Sequence, residues 1–113
     1  MPRNMSFSIT TEQVRNKTKR VTRRNGWWNL KQGDILNAVE KGMGLKKGQK
    51  VVVICKIKIK SARAERLADI TGNEIIKEGF TGMSKGEFVE MFIKSHKGVT
   101  HSTYINRIEF VYL

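Results

Sequence analysis

The segment Val51-Val52-Val53-Ile54-Cys55-Lys56-Ile57-Lys58-Ile59-Lys60 decides the fold class. Apolar side chains at Val53, Cys55, Ile57 and Ile59 alternate with Lys56, Lys58 and Lys60. A period of two places one set against a core and the other in water, which is the pattern of a half-buried strand. Cys55 lies on the apolar side and reads as a small buried hydrophobe. The lysine row reads either as a solvated outer face or as part of a larger basic surface.

Toward the C-terminus, Ser61–Asp69 is mixed in pattern and reads as irregular, with room for one more strand. Thr71-Gly72-Asn73-Glu74 is a capping-box sequence that opens a short helix through Ile75, Ile76, Lys77 and Glu78, with Gly79 placed to end it. Ser84-Lys85-Gly86-Glu87 is another such box. Its helix carries Phe88, Met91, Phe92 and Ser95 on one face, a core stripe rather than a cofactor box, and Gly98 closes it. Tyr104–Leu113 is a strand with Ile108, Phe110 and Tyr112 on one side and Arg107 and Glu109 on the other.

Toward the N-terminus, the glycine-punctuated loop from Gly42 to Gly48 lacks the spacing of a phosphate-binding loop. Ile35–Val39 reads as a strand, and Gln32-Gly33-Asp34 and Asn25-Gly26 as turns. Thr10 followed by Gln13 predicts a capping box and a helix over about 11–16, and Phe7 and Ile9 alternating with Ser6 and Ser8 predict a short first strand. The sum is α+β. About five or six strands and two to three short helices form a small barrel or half-barrel.

At 113 residues the chain is sized for one domain (1–113) with a real core, and 39% hydrophobic and 28% charged residues fit a globular protein. It has no apolar run of membrane-spanning length, no signal-peptide pattern and one cysteine, so a cytoplasmic protein without a membrane partner is expected. No cofactor motif is present. His96 and His101 have no cysteine or carboxylate beside them, so no metal site is expected. The net charge of +12 is segregated: residues 1–60 hold 15 Lys/Arg and 3 Asp/Glu, while residues 61–113 hold 7 of each. Such asymmetry points to a polyanionic partner, nucleic acid, over the alternative of a merely solvated basic surface.

The charge is densest in Lys17–Asp34, KTKRVTRRNGWWNLKQGD, with six Lys/Arg and both tryptophans. Lys17, Arg20, Arg23, Arg24 and Lys31 are candidates to contact phosphate, and Trp27 or Trp28 to stack on a base. In extended backbone, adjacent tryptophans point to opposite sides, so one is expected in the core and one at a surface. Arg24 is suited to a bidentate contact with phosphate, or to an internal salt bridge with Asp34 or Glu78.

Ser-Phe-Ser-Ile-Thr-Thr at the start, Thr22-Arg23-Arg24-Asn25-Gly26-Trp27-Trp28, Leu30-Lys31-Gln32-Gly33-Asp34, and Glu78-Gly79-Phe80 followed by Phe88-Val89 together resemble the ASCH domain family, over nearly the whole chain. The resemblance implies a PUA-like β-barrel that binds RNA in a cleft beside the barrel. One branch of that family hydrolyses the acetyl amide of N4-acetylcytidine, and another has been described as ribonucleases. The amidohydrolase branch has a Lys-x-x-Thr-x-Arg segment and a later glutamate. Here Lys19-Arg20-Val21-Thr22-Arg23-Arg24 fits that segment, which implies a catalytic set of Lys19, Thr22 and Glu78, with Glu74 the competing carboxylate. That branch is mainly uncharged where this chain has Arg20 and Arg23, which implies a longer or more anionic ligand.

In such a set the threonine hydroxyl needs a base. Lys19 serves only when deprotonated, a state that burial and the neighbouring Lys17, Arg20 and Arg24 favour. Glu78 would hold Lys19 or pass a proton to the leaving amine. Lys19 and Thr22 share a site only if the backbone turns between them. The readings open at this point are an RNA-binding domain, an amidohydrolase acting on a modified nucleoside, and a ribonuclease or protein-binding adaptor.

Overall fold

The computed structural model describes residues 3–41 and 47–113. Most of the glycine-punctuated loop, residues 42–46, lies outside them. The chain runs β1 (Arg3–Ser6), α1 (Thr11–Arg15), β2 (Val21–Arg24), β3 (Ile35–Val39), β4 (Val53–Arg66), a 3-10 turn at Leu67–Asp69, α2 (Gly72–Lys77), α3 (Lys85–Ser95) and β5 (Tyr104–Tyr112). One sheet has the order β1-β3-β4-β5-β2, parallel only between β1 and β3. It curls into a half-barrel: Arg24 at the end of β2, one edge, donates from Nη2 to the carbonyl of Ser6 in β1, the other edge, at 2.7 Å.

The alternation that begins in Val53–Lys60 continues as one 14-residue strand to Arg66, so Ser61–Arg66 is not irregular. The pairing of β4 with β5 shifts between Ile59 and Ser61, where a bulge inserts Lys60 as an extra residue. After a bulge the apolar parity changes from odd to even positions, and Ala62 replaces an odd residue on the core side. A strict period of two therefore misses the second half of the strand. Val51 and Val52 precede the strand and are exposed.

The first strand lies earlier than Ser6–Ile9. The ladder extends only as far as the Phe7 amide, which donates to the Val39 carbonyl. Thr11 Oγ1 then donates to the Phe7 carbonyl at 2.7 Å and turns the chain into α1, leaving Ile9 65% exposed. The Thr10 box does not form; Thr10 makes no side-chain cap. The box at Ser84 and Glu87 is complete, while Thr71 caps α2 with a single 3.4 Å bond, because the Glu74 carboxylate turns toward β5 instead.

Two cores follow from the two faces of the sheet. Inside the curl, Met5, Leu36, Ala38, Ile57, Ile59, Ile108 and Phe110 pack with Phe7, Val14 and Leu30. On the outer face at the β5 end, Ile105 packs with Leu67, Ile70, Ile75, Phe88, Val89 and Phe92, which seats α2 and α3. Full burial of a side chain such as Ile57 or Phe88 contributes roughly 1.5–3 kcal/mol, which is what holds these short helices in place. Trp27 takes a left-handed φ of 59° and packs partly on the first core, while Trp28 is 53% exposed. The pair thus divides between core and surface, through a turn rather than an extended backbone.

Candidate functional site

β2 is short and has a free edge, so side chains on both of its faces reach the seam between the half-barrel and the helices. Thr22 is opposite Ile108 and faces the inside of the curl. Arg23 is opposite Arg107, which is itself opposite Arg63, so three arginines lie in one row across β2, β5 and β4. Like charges directly opposite repel. Glu74 of α2 meets two of them: its Oε1 accepts from Arg23 at 3.0 Å and from Arg107 Nε at 2.5 Å, and its Oε2 accepts from Arg107 Nη2 at 3.1 Å. The Arg107 and Arg23 hydrogen bonds, outweighing partial burial, hold the Glu74 carboxyl down to about 2.

Lys19 lies just before β2, where the chain turns. Its amide and that of Thr18 donate to the Gln13 carbonyl in α1, and the Arg20 amide donates to the Lys77 carbonyl at the end of α2. Tyr112 Oη donates to the Lys19 carbonyl at 2.6 Å. Gly79 closes this corner from the other side at φ 102°, where an added Cβ would stand 2.9 Å from Gln13 Cβ and 3.4 Å from Lys19 Cβ. Only glycine combines that backbone with that approach.

The result is a buried ion pair. Lys19 Nζ donates to the Glu78 carbonyl at 2.6 Å and to Glu78 Oε1 at 2.9 Å, and both residues are no more than 3% exposed. Arg23 Nη1 donates to Glu78 Oε2 at 3.1 Å, so both carboxylate oxygens are engaged. Burial lowers the Lys19 pKa; the Glu78 charge and hydrogen bond oppose it, and Arg24 and Arg23 add to the lowering. Arg24 Nε donates to Thr22 Oγ1 at 3.0 Å, and its guanidinium lies 4.8 Å from the Phe7 ring centroid. Burial brings Arg24 down to about 10, against the attraction of Glu78.

Lys19, Thr22, Arg24 and Glu78 all line one cavity of about 130 Å³. Phe80, Phe88 and Phe92 form its apolar wall, and His96, stacked on Phe92 at 4.0 Å, also lines it. Between Lys19 and Thr22 the backbone turns as their sharing of a site requires. Glu78, not Glu74, is the carboxylate at the cavity. Thr22 makes no hydrogen bond to Lys19 or Glu78 among the described residues; its oxygen is held by Arg24 alone.

No family model, curated protein or solved structure matches this chain.

Of the remaining candidate cations, Arg23 and Arg24 also line the cavity and the others do not. Arg23 has a fully buried side chain and is tied to Glu65, Glu74 and Glu78, so it is a structural counter-charge rather than an outward phosphate contact. Arg24 forms neither of the salt bridges open to it, with Asp34 or Glu78; its bonds go to neutral oxygens. Lys17, Arg20 and Lys31 are exposed, and with Trp27 and Trp28 they stand outside the cavity wall. Among the described residues no cluster of His, Cys, Asp and Glu is arranged to hold a metal, and no helix is long and apolar enough to cross a membrane. The aromatic wall had no sequence signal of its own. Phe88 and Phe92 are core residues that also line the cavity, and Phe7 comes from the far end of the chain.

Proposed function

We propose that this is a PUA-like domain of the ASCH type whose cavity hydrolyses the acyl amide of an N4-acylated cytidine. The convergence of Lys19, Thr22 and Glu78 on one aromatic-walled cavity carries this reading. A nucleophile, a proton-transfer pair and a cation beside the nucleophile are the parts that amide hydrolysis needs, and flat apolar walls suit a nucleobase.

The ion pair of Lys19 and Glu78, 2.9 Å apart, enters the cycle in its uncharged form, one proton having passed from Nζ to the carboxylate. In its uncharged form, the Lys19 amine takes the proton of Thr22 as Oγ1 attacks the acyl carbon. Arg24, already 3.0 Å from Oγ1, stabilises the negative charge that develops there and on the carbonyl oxygen. The carbon–N4 bond breaks, N4 takes the proton of the Glu78 carboxyl, and cytidine leaves with a free amino group. The pair is now ammonium and carboxylate. Water then attacks the acyl-threonine, Glu78 accepts its proton, and Lys19 returns one to Thr22 Oγ1 as the carboxylic acid departs. Each half-reaction leaves the pair in the state that the other requires.

Incubation with N4-acetylcytidine and chromatography for cytidine tests this reading. Product formation is expected in the parent chain and loss of at least a hundredfold in Thr22→Ala, in line with the roughly 10²–10⁴-fold effect of positioned acid–base groups. Full activity in Thr22→Ala would overturn the assignment.

A second reading, binding of RNA along the basic half, is favoured by the exposure of Lys17, Arg20, Lys31 and Trp28 outside the cavity. Affinity for a single-stranded oligonucleotide should then fall steeply with salt, with a slope of about −0.7 per phosphate contacted. Salt-independent affinity would remove this reading.

A further inference from the structure

Three cations, Lys19, Arg23 and Arg24, line the cavity against one carboxylate, Glu78. Both Glu78 oxygens are taken, Oε1 by Lys19 and Oε2 by Arg23. Arg24 is therefore left without an ion-pair partner among the described residues. It is half-buried, lies over Phe7, and spends Nε and Nη2 on neutral oxygens, Thr22 Oγ1 and the Ser6 carbonyl, while Nη1 has no partner among the described residues. The donor surplus extends further. Among the described residues, Arg23 Nε is also buried with no acceptor. A guanidinium partly withdrawn from water and lacking an anion is unfavourable, and so is each unsatisfied buried donor. A site built with too many donors and one cation too many fits a ligand that brings the acceptors.

We infer that the cavity binds an organic oxyanion, a carboxylate or phosphate carried on a flat ring. The anion pairs with Arg24 beside Thr22, and the ring lies against Phe80, Phe88 and Phe92. Of the proposed function this uses only the assignment of the cavity as the ligand site. If the cavity acts on acylated cytidines, the preferred ones carry negative charge themselves, as nucleotides or through an acyl group that ends in a carboxylate. A neutral nucleoside would leave Arg24 unpaired.

Calorimetric titration of the full chain with benzoate and with its neutral isostere benzamide isolates the charge at constant shape. Benzoate is expected to bind about tenfold or more tightly than benzamide, the scale of one charge-assisted hydrogen bond. Competition by inorganic phosphate would identify the accepted anion as either planar or tetrahedral; benzoate binding that phosphate does not disturb would restrict it to a carboxylate. Arg24→Gln, with its fold checked by circular dichroism, should abolish the preference, and Arg24→Lys should retain part of it. Equal affinity for the two probes in the parent chain, or no binding of either, overturns the inference. Hydrolysis of N4-acetylcytidine without a benzoate preference would leave the proposed function standing and this inference refuted. A benzoate preference without hydrolysis would do the reverse.

Discussion

Replacing Glu78 by Gln removes one charge from a buried pair while keeping the shape of the side chain. Lys19 is 2% exposed, and its ammonium would then lack its counter-ion. Arg23 would keep Glu65 and Glu74. Lys19 would respond by losing its proton. Relative to its ordinary value of 10.5, neutralisation at pH 7 costs at most about 5 kcal/mol, at 1.36 kcal/mol per unit. Breaking a buried pair by removing one partner generally costs roughly 3–5 kcal/mol, so the two limits agree. The sign with pH follows from linkage. In Glu78→Gln the folded state has lost the Lys19 proton while the unfolded state keeps it up to about 10.5, so the unfolded state binds more protons and stability rises with pH across that window. At pH 9 the same ceiling is about 2 kcal/mol. Urea unfolding of Glu78→Gln against the parent chain should therefore show a loss of about 3–5 kcal/mol at pH 7 that shrinks to about 2 kcal/mol at pH 9. Adding Lys19→Met should recover part of the loss, because the uncompensated charge goes with it. A loss below about 1 kcal/mol, or one equal at both pH values, would refute the view of this pair as buried and mutually compensated.

Other regions give further tests. The Glu74 carboxyl stands at about 2 against an ordinary 4.5, so it contributes stability above pH 4.5 that is lost as pH falls toward 2. Glu74→Gln should flatten that acid limb by about 3 kcal/mol in denaturant unfolding followed from pH 5 to pH 2. Gly79→Ala must place a Cβ at φ 102° and 2.9 Å from Gln13. It should cost about 1–3 kcal/mol in unfolding and loosen the Lys19 corner, seen as faster amide exchange at Lys19. Ser84→Ala removes a complete capping box and Thr71→Ala a single 3.4 Å bond, so the first should lower Tm more than the second in a thermal melt.

Three strands were legible: Ile35–Val39, the first half of β4, and β5. The second half of β4 was not, because a bulge changes the face parity without changing the residue types. Thr10 and Gln13 match a capping box as well as Ser84 and Glu87 do. What separates them is that Thr11, the neighbour of Thr10, bonds back to the Phe7 carbonyl. At the site, Lys19, Thr22 and Glu78 were named only through a family resemblance, which itself left Glu74 as a rival. The choice between the two glutamates rests on one helical turn of α2, which turns Glu74 to Arg107 and brings Glu78 to Lys19. Arg23 looked like a surface cation because charged side chains are mostly exposed. Its burial depends on glutamates from β4 and α2 that no local pattern pairs with it. The aromatic wall is likewise a product of tertiary packing.

The most direct measurement is mass analysis of the chain quenched during turnover of N4-acetylcytidine, with the peptide that contains Thr22 sequenced. A transient acetyl group on Thr22, accumulating with cytidine release and missing from Thr22→Ala, is the expected result. Cytidine released with Thr22 never modified, and undiminished in Thr22→Ala, would contradict a nucleophilic site built on Lys19, Thr22 and Glu78.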